Sequence, residues 1–240
     1  MTRLTSCPDA ASVADRAAAQ VRTVIEQARA ERGVAHVALS GGGTPERTYR
    51  LLGEDAEALR GTEVWFADER CVGPDDPESN YRMAYETLLG PAGIPSQLVH
   101  RMRGELGPAA GARSYESELR ERLGGEPGEP VMLDLVLLGI GPDGHVASLF
   151  PGSATLAEEH ALCLGVENSP KPPPGRITLT LPVLRAARGC LLVAVGASKS
   201  DALAATLGEP SESVPASLLR RERLTVITDD AAAPPAPNRR

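Results

Sequence analysis

The sequence predicts an α/β protein with a doubly wound, mostly parallel sheet and helices on both faces. Short apolar runs typical of strands alternate with segments of helical periodicity along most of the 240 residues, an order that indicates parallel βαβ units. The run LDLVLLG at 133–139 is almost entirely apolar, as expected for a central parallel strand that is covered on both sides. Glycine turns follow several predicted strands, at the edge where such sheets bind ligands.

The first elements show the pattern most clearly. A helix is predicted over 9–32 because apolar residues recur every three to four positions and Gly33 stands where the helix should end. The run VAHVALS at 34–40 is a strand. The glycine turn after it leads into a helix to about residue 52, with Thr44 as a candidate N-cap and Pro45 at the first helical position.

The remaining elements continue the alternation in one predicted catalytic domain, residues 1–229. Strands are predicted at 62–68, 98–102, 133–139, 161–167, 176–181, 190–196 and 224–228, and helices at 80–90, 109–124, 199–207 and 216–221. The Pro/Ala-rich residues 230–240 are predicted to be a disordered tail. The only candidate linker, 124–130, is short and flanked by core elements, so a second domain is not expected.

Composition narrows the classes of function. The net charge of −7 argues against nucleic acid and against an anionic membrane as a partner. No apolar run is long enough to span a bilayer, and the N-terminus has no apolar core of a secretory signal. The four cysteines lie far apart without metal-ligand spacing, which indicates reduced thiols in a cytoplasmic protein. We expect no metal, and a monomer or a homodimer.

The first candidate site is the glycine loop after strand 34–40. The residues Ser40, Gly41, Gly42, Gly43 and Thr44 stand between this strand and the next helix. Glycines allow a ligand to approach the backbone, and a helix N-terminus offers free N–H groups and a positive dipole end. The loop therefore has the chemistry of a phosphate site, although it lacks the P-loop motif. A tight turn that merely needs glycine remains the alternative.

A second candidate stands at the end of strand 62–68. Asp68, Glu69 and Arg70 leave this apolar run together. A carboxylate here can act as a base or orient one, and Arg70 can bind a carboxylate or stabilise an oxyanion. A solvated run of charges is the alternative.

The loop GIGPDGH after strand 133–139 has the G-x-G-x-x-G spacing of a dinucleotide site. A dinucleotide site also needs a long helix after the third glycine, and here only HVASLF precedes a Pro-Gly pair. His145 is the one histidine at a strand's carboxyl end among glycines, and its ordinary pKa suits a general base. Asp143 is placed to orient the ring. The loop is therefore interpreted as catalytic, and no cofactor is expected.

Basic residues in the second half complete the candidates. Lys171 and Arg176 flank a stiff PPP segment before a strand, and Arg176 is placed to bind phosphate in bidentate fashion. Lys199 opens a helix after strand 190–196. A lysine is unfavourable at a helix N-terminus unless an anion shares the site. Solvated surface positions are the alternative for each.

Five segments, in this order, resemble the 6-phosphogluconolactonases over about residues 10–228: LSGGGTPERTYRLL, WFADERCVGPDDPESNYRMAYETLL, LDLVLLGIGPDGHVASLFPGS, NSPKPPPGRITLTLPVL and VGASKSDAL. The resemblance implies a Rossmann-like fold without a dinucleotide. It also implies hydrolysis of 6-phospho-D-glucono-1,5-lactone to 6-phospho-D-gluconate in the oxidative pentose phosphate pathway, without a cofactor. His145 corresponds to the proposed base and Asp68 and Arg70 to site residues. Ser40–Thr44, Arg176 and Lys199 match positions that line the sugar-phosphate pocket.

Two alternatives stay open. Glucosamine-6-phosphate deaminases resemble the chain in the glycine loop and the D-G-H loop, but they carry Tyr at the position of Arg70 and Glu at the position of Phe150. The same fold also serves as a phosphosugar sensor in transcription regulators, which need a DNA-binding segment. Only about eight residues precede the first predicted helix, which disfavours the role of a phosphosugar sensor.

Overall fold

The centre of the fold is a six-stranded parallel sheet, seen in a computed structural model that describes residues 2–125 and 128–234. The strands of the molecule are β1 (Arg3–Cys7), β2 (Ala35–Leu39), β3 (Thr62–Phe66), β4 (Asp68–Arg70), β5 (Leu135–Gly139), β6 (Cys163–Val166), β7 (Arg176–Leu179), β8 (Cys190–Ala194) and β9 (Leu224–Asp229). The large sheet has the order β1-β9-β8-β5-β2-β3, and all of its pairs are parallel. The predicted fold class is confirmed.

The central strands are the most apolar ones, as the sequence predicted. The first four residues of β5 are buried, and every residue of β8 is buried. Because aromatic residues make up only 3% of the chain, the core consists mainly of Leu, Val, Ile and Ala side chains around one buried tryptophan, Trp65.

Within the described part of the chain, six α-helices cover and connect the strands: α1 (Ala10–Arg32), α2 (Gly43–Gly53), α3 (Asn80–Ala84), α4 (Pro108–Leu123), α5 (Leu181–Ala186) and α6 (Ser200–Leu207). The ends of α1 follow the sequence signals. Asp9 accepts a hydrogen bond from the N–H of Ser12 at 2.8 Å, and Gly33 ends the helix in the left-handed conformation with φ of 80°. Ser79 caps α3, and a π-helical turn at Tyr85–Leu89 continues the predicted helix 80–90.

A second, smaller sheet corrects part of the prediction. The predicted strand 62–68 divides at Ala67, whose N–H donates to Leu39 O in the large sheet at 2.7 Å. Its carbonyl accepts from Leu179 N at 2.8 Å. From there the chain enters an antiparallel sheet of order β4-β7-β6. The predicted strands 161–167 and 176–181 therefore exist, but they lie in this sheet. Sequence periodicity does not report the sheet to which a strand belongs.

Several short elements also differ from the prediction. The predicted strand 98–102 makes only an isolated bridge from Val99 to Val64, and the predicted helix 216–221 is two 3-10 turns, Pro215–Leu218 and Arg221–Arg223. Strand β1 and helix α5 were not predicted. Only Cys7 of β1 is buried, so this edge strand has too little apolar alternation to be seen in the sequence.

The chain remains packed for a few residues beyond β9, where the sequence predicted a disordered tail. The N–H of Ala232 donates to Oδ1 of Asp229 at 2.9 Å, and Ala232 is fully buried. Of the predicted tail, residues 235–240 lie outside the described part of the chain. None of the helices that the structure describes is long and apolar enough to cross a membrane.

Candidate active site

Most of the predicted site residues meet in one pocket at the carboxyl ends of the parallel strands. A cavity of about 200 Å³ is lined by the candidates Ser40–Thr44, Asp68, Arg70, His145, Arg176 and Lys199, whereas the candidates Glu69, Asp143 and Lys171 lie outside its lining. The pocket lies where the loops after β2 and β5 approach each other. From β2 the chain continues to β3, towards one edge of the large sheet, whereas from β5 it continues towards β8 and the other edge. The pocket therefore lies at the topological switch point, where open α/β sheets bind ligands.

The glycine loop forms one wall of the pocket. The structure corrects the predicted cap: Gly42, with φ of 110°, precedes α2, and no side chain bonds to the first N–H groups of the helix. The Tyr49 hydroxyl donates to Ser40 O at 2.8 Å and accepts from Ser40 N at 3.0 Å, which fixes the start of the loop. The buried Ser40 hydroxyl has no hydrogen-bond partner among the described residues. The wall thus offers free donors to an anion.

The loop after β5 is a compact turn that presents His145. Gly141 N donates to His145 O and Gly144 N donates to Gly141 O, both at 2.9 Å. A side chain at Gly141 would overlap with the imidazole of His145 and the carboxylate of Asp143, so glycine is needed for their close approach. The segment HVASLF is a tight turn with Ala147 at φ of 48°, not the expected helical run. The segment after the third glycine thus differs from the long helix that a dinucleotide site needs.

His145 and Asp143 form a hydrogen-bonded pair. Nδ1 of His145 lies 2.5 Å from Oδ1 of Asp143. Because a carboxylate only accepts, Nδ1 carries the proton and Nε2 of the neutral ring is left as a base. Burial lowers the pKa of His145 and the Asp143 carboxylate offsets only part of this effect. Burial raises the pKa of Asp143, but the hydrogen bond with His145 and the charges of His145 and Lys171 together outweigh it and leave this pKa lowered.

Substitution of Asp143 by Asn tests this pair. The carboxylate raises the pKa of His145, so Asp143→Asn is expected to lower that pKa further and to destabilise the imidazolium formed during catalysis. Because solvent reaches Asp143, the loss of its charge should cost a free energy near the lower limit for a hydrogen bond to a charged group. We therefore expect kcat to fall about tenfold. An NMR titration of the His145 ring measures the pKa. An unchanged or higher value would show that Asp143 does not act on His145.

Asp68 and Arg70 reach the pocket from β4, while Glu69 points to the other side of the strand because side chains alternate. The carboxylate of Asp68 accepts from the Ser148 hydroxyl at 2.8 Å and from the Asn80 amide at 3.2 Å. Asp143, and not Asp68, is the carboxylate that makes the hydrogen bond with the His145 ring. The Arg70 guanidinium donates to Glu78 O at 2.5 Å.

Arg176 and Lys199 bring positive charge to the pocket. Arg176 is buried and donates to three backbone oxygens, those of Lys171, Pro172 and Pro173. Much of its hydrogen-bonding capacity thus holds this loop. Burial and the nearby Arg70 lower the pKa of Arg176, and burial and Lys171 lower the pKa of Lys199. A bound anion would relieve both effects.

Two residues of the site, Asn80 and Ser148, were not predicted, and the candidate Lys171 has a position that was not predicted, beside the His145–Asp143 pair. Nζ of Lys171 lies 3.2 Å from Nδ1 of His145 and 3.4 Å from Oδ1 of Asp143. The sequence had identified Lys171 as basic but gave no reason to place it here, because the loop is positioned by Arg176. Asn80 and Ser148 hold Asp68. Ser79 is the N-cap of α3, but no local pattern in the sequence marks the next residue, Asn80, as part of the pocket.

The other histidines and cavities lack this chemistry. His36 and His100 belong to a cluster around Trp65 and Glu63 at the opposite end of the sheet, and His160 is exposed. A larger cavity of about 410 Å³ lies between α3 and α4, and its lining contains neither the glycine loop nor a histidine. Within residues 2–125 and 128–234 no group of His, Cys, Asp and Glu is arranged to hold a metal ion.

Comparison with known proteins gives a consistent family. The protein-family model described as "Glucosamine-6-phosphate isomerases/6-phosphogluconolactonase" matches residues 8–228. The chain is 38% identical to the 6-phosphogluconolactonase of Mycobacterium tuberculosis, over 94% of this chain and 95% of the relative. It is 39% identical to that of Streptomyces coelicolor, over 94% of this chain and 91% of the relative.

A solved structure agrees with this. The 6-phosphogluconolactonase from Trypanosoma cruzi superposes with a TM-score of 0.88 at 31% identity, over 97% of this chain and 96% of that one. The family match over residues 8–228 spans the glycine loop, the β4 residues and the His145 turn. The chain therefore belongs to the family of glucosamine-6-phosphate isomerases and 6-phosphogluconolactonases.

Proposed function

We propose that the protein hydrolyses 6-phospho-D-glucono-1,5-lactone to 6-phospho-D-gluconate. The observation that carries this proposal is the His145–Asp143 pair at the edge of a pocket with a glycine loop and several cations. A phosphorylated lactone needs both parts, an anion site and a base for water. The names of the relatives from Mycobacterium tuberculosis and Streptomyces coelicolor support the choice of substrate.

The phosphate binds, in this proposal, to the glycine loop and the basic residues around it. The first N–H groups of α2 have no side-chain cap, and the Ser40 hydroxyl, only 4% exposed, has no partner among the described residues. The Lys171 ammonium lies close enough to lower the pKa of both Lys199 and His145. A doubly charged phosphate would offset this repulsion at a helix N-terminus.

The reaction needs one base and one charge stabiliser. Nε2 of His145 removes a proton from water as the water oxygen attacks C1 of the lactone. The carbonyl oxygen becomes negative and is stabilised by the Arg70 guanidinium or by backbone N–H groups. The tetrahedral intermediate then collapses, the bond from C1 to the ring oxygen breaks, and the His145 imidazolium returns its proton to that oxygen. Asp143 stays ionised throughout and stabilises the imidazolium.

The pH dependence of turnover follows from the pKa of His145. Burial lowers this pKa below the ordinary value of 6.5, so the ring is neutral and active at pH 7. We expect kcat/KM to be constant near neutrality and to fall as the pH decreases through the lowered pKa, with a slope of one proton. Initial rates between pH 4.5 and 8, corrected for spontaneous hydrolysis, measure this profile; a midpoint above about 6.5 contradicts it.

The alternative function is deamination of glucosamine 6-phosphate. Phe150 stands at the position of the deaminase glutamate, and its ring packs 4.8 Å from that of His145 in a buried environment. No carboxylate is available there to help open an amino-sugar ring. A parallel assay separates the two functions: formation of 6-phosphogluconate from enzymatically generated lactone, and release of ammonia from glucosamine 6-phosphate. Activity in the second assay alone would overturn the proposal.

The setting of this reaction is also part of the proposal. Residues 1–229 act as one catalytic domain in the cytoplasm, within the oxidative pentose phosphate pathway. The protein works as a monomer or a homodimer, without a cofactor and without nucleic acid as a partner. The net charge of −7 argues against nucleic acid, and the cations Arg70, Arg176 and Lys199 at the pocket support an anionic small-molecule substrate.

A further inference from the structure

Glu69 is a buried carboxylate that the proposed reaction does not use. Its side chain is on the opposite side of β4 from the pocket and the residue is 2% exposed. Oε1 accepts from the N–H groups of Arg70 and Asn80, both at 2.7 Å. Oε2 accepts from the N–H of Tyr81 at 2.7 Å and from the hydroxyl of Ser79 at 3.0 Å. Burial raises the pKa of Glu69 although these donors oppose the effect.

Three of these bonds, those from Ser79, Asn80 and Tyr81, join β4 to the start of α3. Residues 71–78 form the loop between β4 and α3, and they include Gly73, Pro74 and Pro77. Ser79, Asn80 and Tyr81 form the first turn of α3, where N–H groups have no partner inside the helix. Glu69 supplies those partners, so its position fixes the direction and the depth at which α3 begins.

The first residue of α3 is in direct contact with the pocket. The Asn80 amide donates to the carbonyl oxygen of Asp68 at 2.9 Å and to its carboxylate at 3.2 Å. The same side chain packs against Gly41 so closely that a Cβ there would overlap with its Oδ1. Asn80 therefore touches both the Asp68 carboxylate and the glycine loop.

We propose that Glu69 is a positioning residue of this active site and that it acts through Asn80. By holding the first turn of α3, the Glu69 carboxylate keeps the Asn80 amide between Asp68 and the glycine loop. This inference rests on the proposed lactonase function for its kinetic test. Its structural part, the link from Glu69 to the glycine loop, can be tested without turnover.

A double-mutant cycle with Glu69→Gln and Asn80→Ala tests the link. Glutamine replaces one acceptor oxygen by an amide that faces backbone N–H groups, so the turn should shift. A small displacement of a substrate-binding group can reduce the rate by up to about 10²-fold. We expect kcat/KM to fall at least tenfold in each single variant, and Glu69→Gln to add less than about twofold in the Asn80→Ala background. Independent, multiplying effects would overturn the proposal.

Asp134→Asn is the matched control. Asp134 is also buried, at 4% exposure, and its carboxylate accepts from the N–H of His36 and from Arg32, at the opposite end of the sheet from the pocket. We expect this variant to lower Tm but to leave kcat/KM unchanged. If Glu69→Gln behaves in the same way, Glu69 is only structural and the proposal is wrong.

Two further measurements test the proposal even if Glu69→Gln does not fold or if the wild-type protein is inactive. Ser79→Ala removes one donor to Glu69 without burying an amide, and we expect the same non-additivity with Asn80→Ala at a smaller amplitude. Amide resonances of Gly41, Gly42 and Gly43 should shift in Glu69→Gln or Ser79→Ala and not in Asp134→Asn. If the wild type shows no lactonase turnover, the proposed function fails, and these resonances still decide the inference. Unshifted resonances in both variants would overturn it.

Discussion

Substitution of His145 by Ala is expected to reduce kcat for lactone hydrolysis by about 10²–10⁴-fold, the usual contribution of a general base. The remaining rate should equal what binding and charge stabilisation provide, and it should lose the pH dependence on the acid side. KM should change little, because Lys199, Arg176 and the glycine loop remain in place. Initial rates with the enzymatically generated lactone measure this effect.

The matched control for this variant is His160→Ala. His160 is exposed and lies outside the pocket, so its loss should leave kcat and KM unchanged. Circular dichroism and Tm verify that both variants are folded. Near-normal turnover by a folded His145→Ala protein would remove His145 from the mechanism and would leave the pocket without its proposed base.

Substitution of Gly141 by Ala is expected to have the second-largest effect, about 10²-fold on kcat, the loss that a small misplacement of a catalytic group produces. The new methyl group would overlap with the imidazole of His145 and the carboxylate of Asp143. These side chains must move, since the turn is fixed by the bond from Gly141 N to His145 O at 2.9 Å. Gly141 is not among the glycines with positive φ, so backbone strain does not contribute.

Gly189→Ala provides the comparison for this steric effect. Gly189 precedes β8 at the opposite end of the sheet, and a methyl group there would lie 3.6 Å from the Leu135 side chain, an ordinary contact. We expect normal kcat from this variant. A Gly141→Ala protein with wild-type kcat would show that the spacing between Gly141 and His145 does not matter for catalysis.

Much of the fold could be predicted because its strands and helices carry strong local signals. The apolar run of β5 and the capped, periodic α1 were recognisable in the sequence. The division of the chain at Ala67 was not, since it depends on pairing with Leu39 and Leu179, which are distant in sequence. The edge strand β1 buries only its last residue, so its periodicity is too weak to detect.

The candidate site was predictable where a residue follows a strand directly. Ser40, Asp68 and His145 each stand at a strand's carboxyl end, and topology alone brings such positions together. Asn80 reaches the pocket, and Lys171 reaches the His145–Asp143 pair, through tertiary contacts made by Glu69 and Arg176. No spacing in the sequence expresses contacts of this kind, so their participation became visible only in three dimensions.

The most direct test of the central claim is a ³¹P NMR time course of freshly generated 6-phospho-D-glucono-1,5-lactone with the purified protein at neutral pH. We predict that the lactone signal is replaced by that of 6-phosphogluconate much faster than in buffer alone. His145→Ala at the same concentration should remain close to the buffer rate. A wild-type time course that coincides with spontaneous hydrolysis would contradict the proposal that this pocket is the active site of a lactonase.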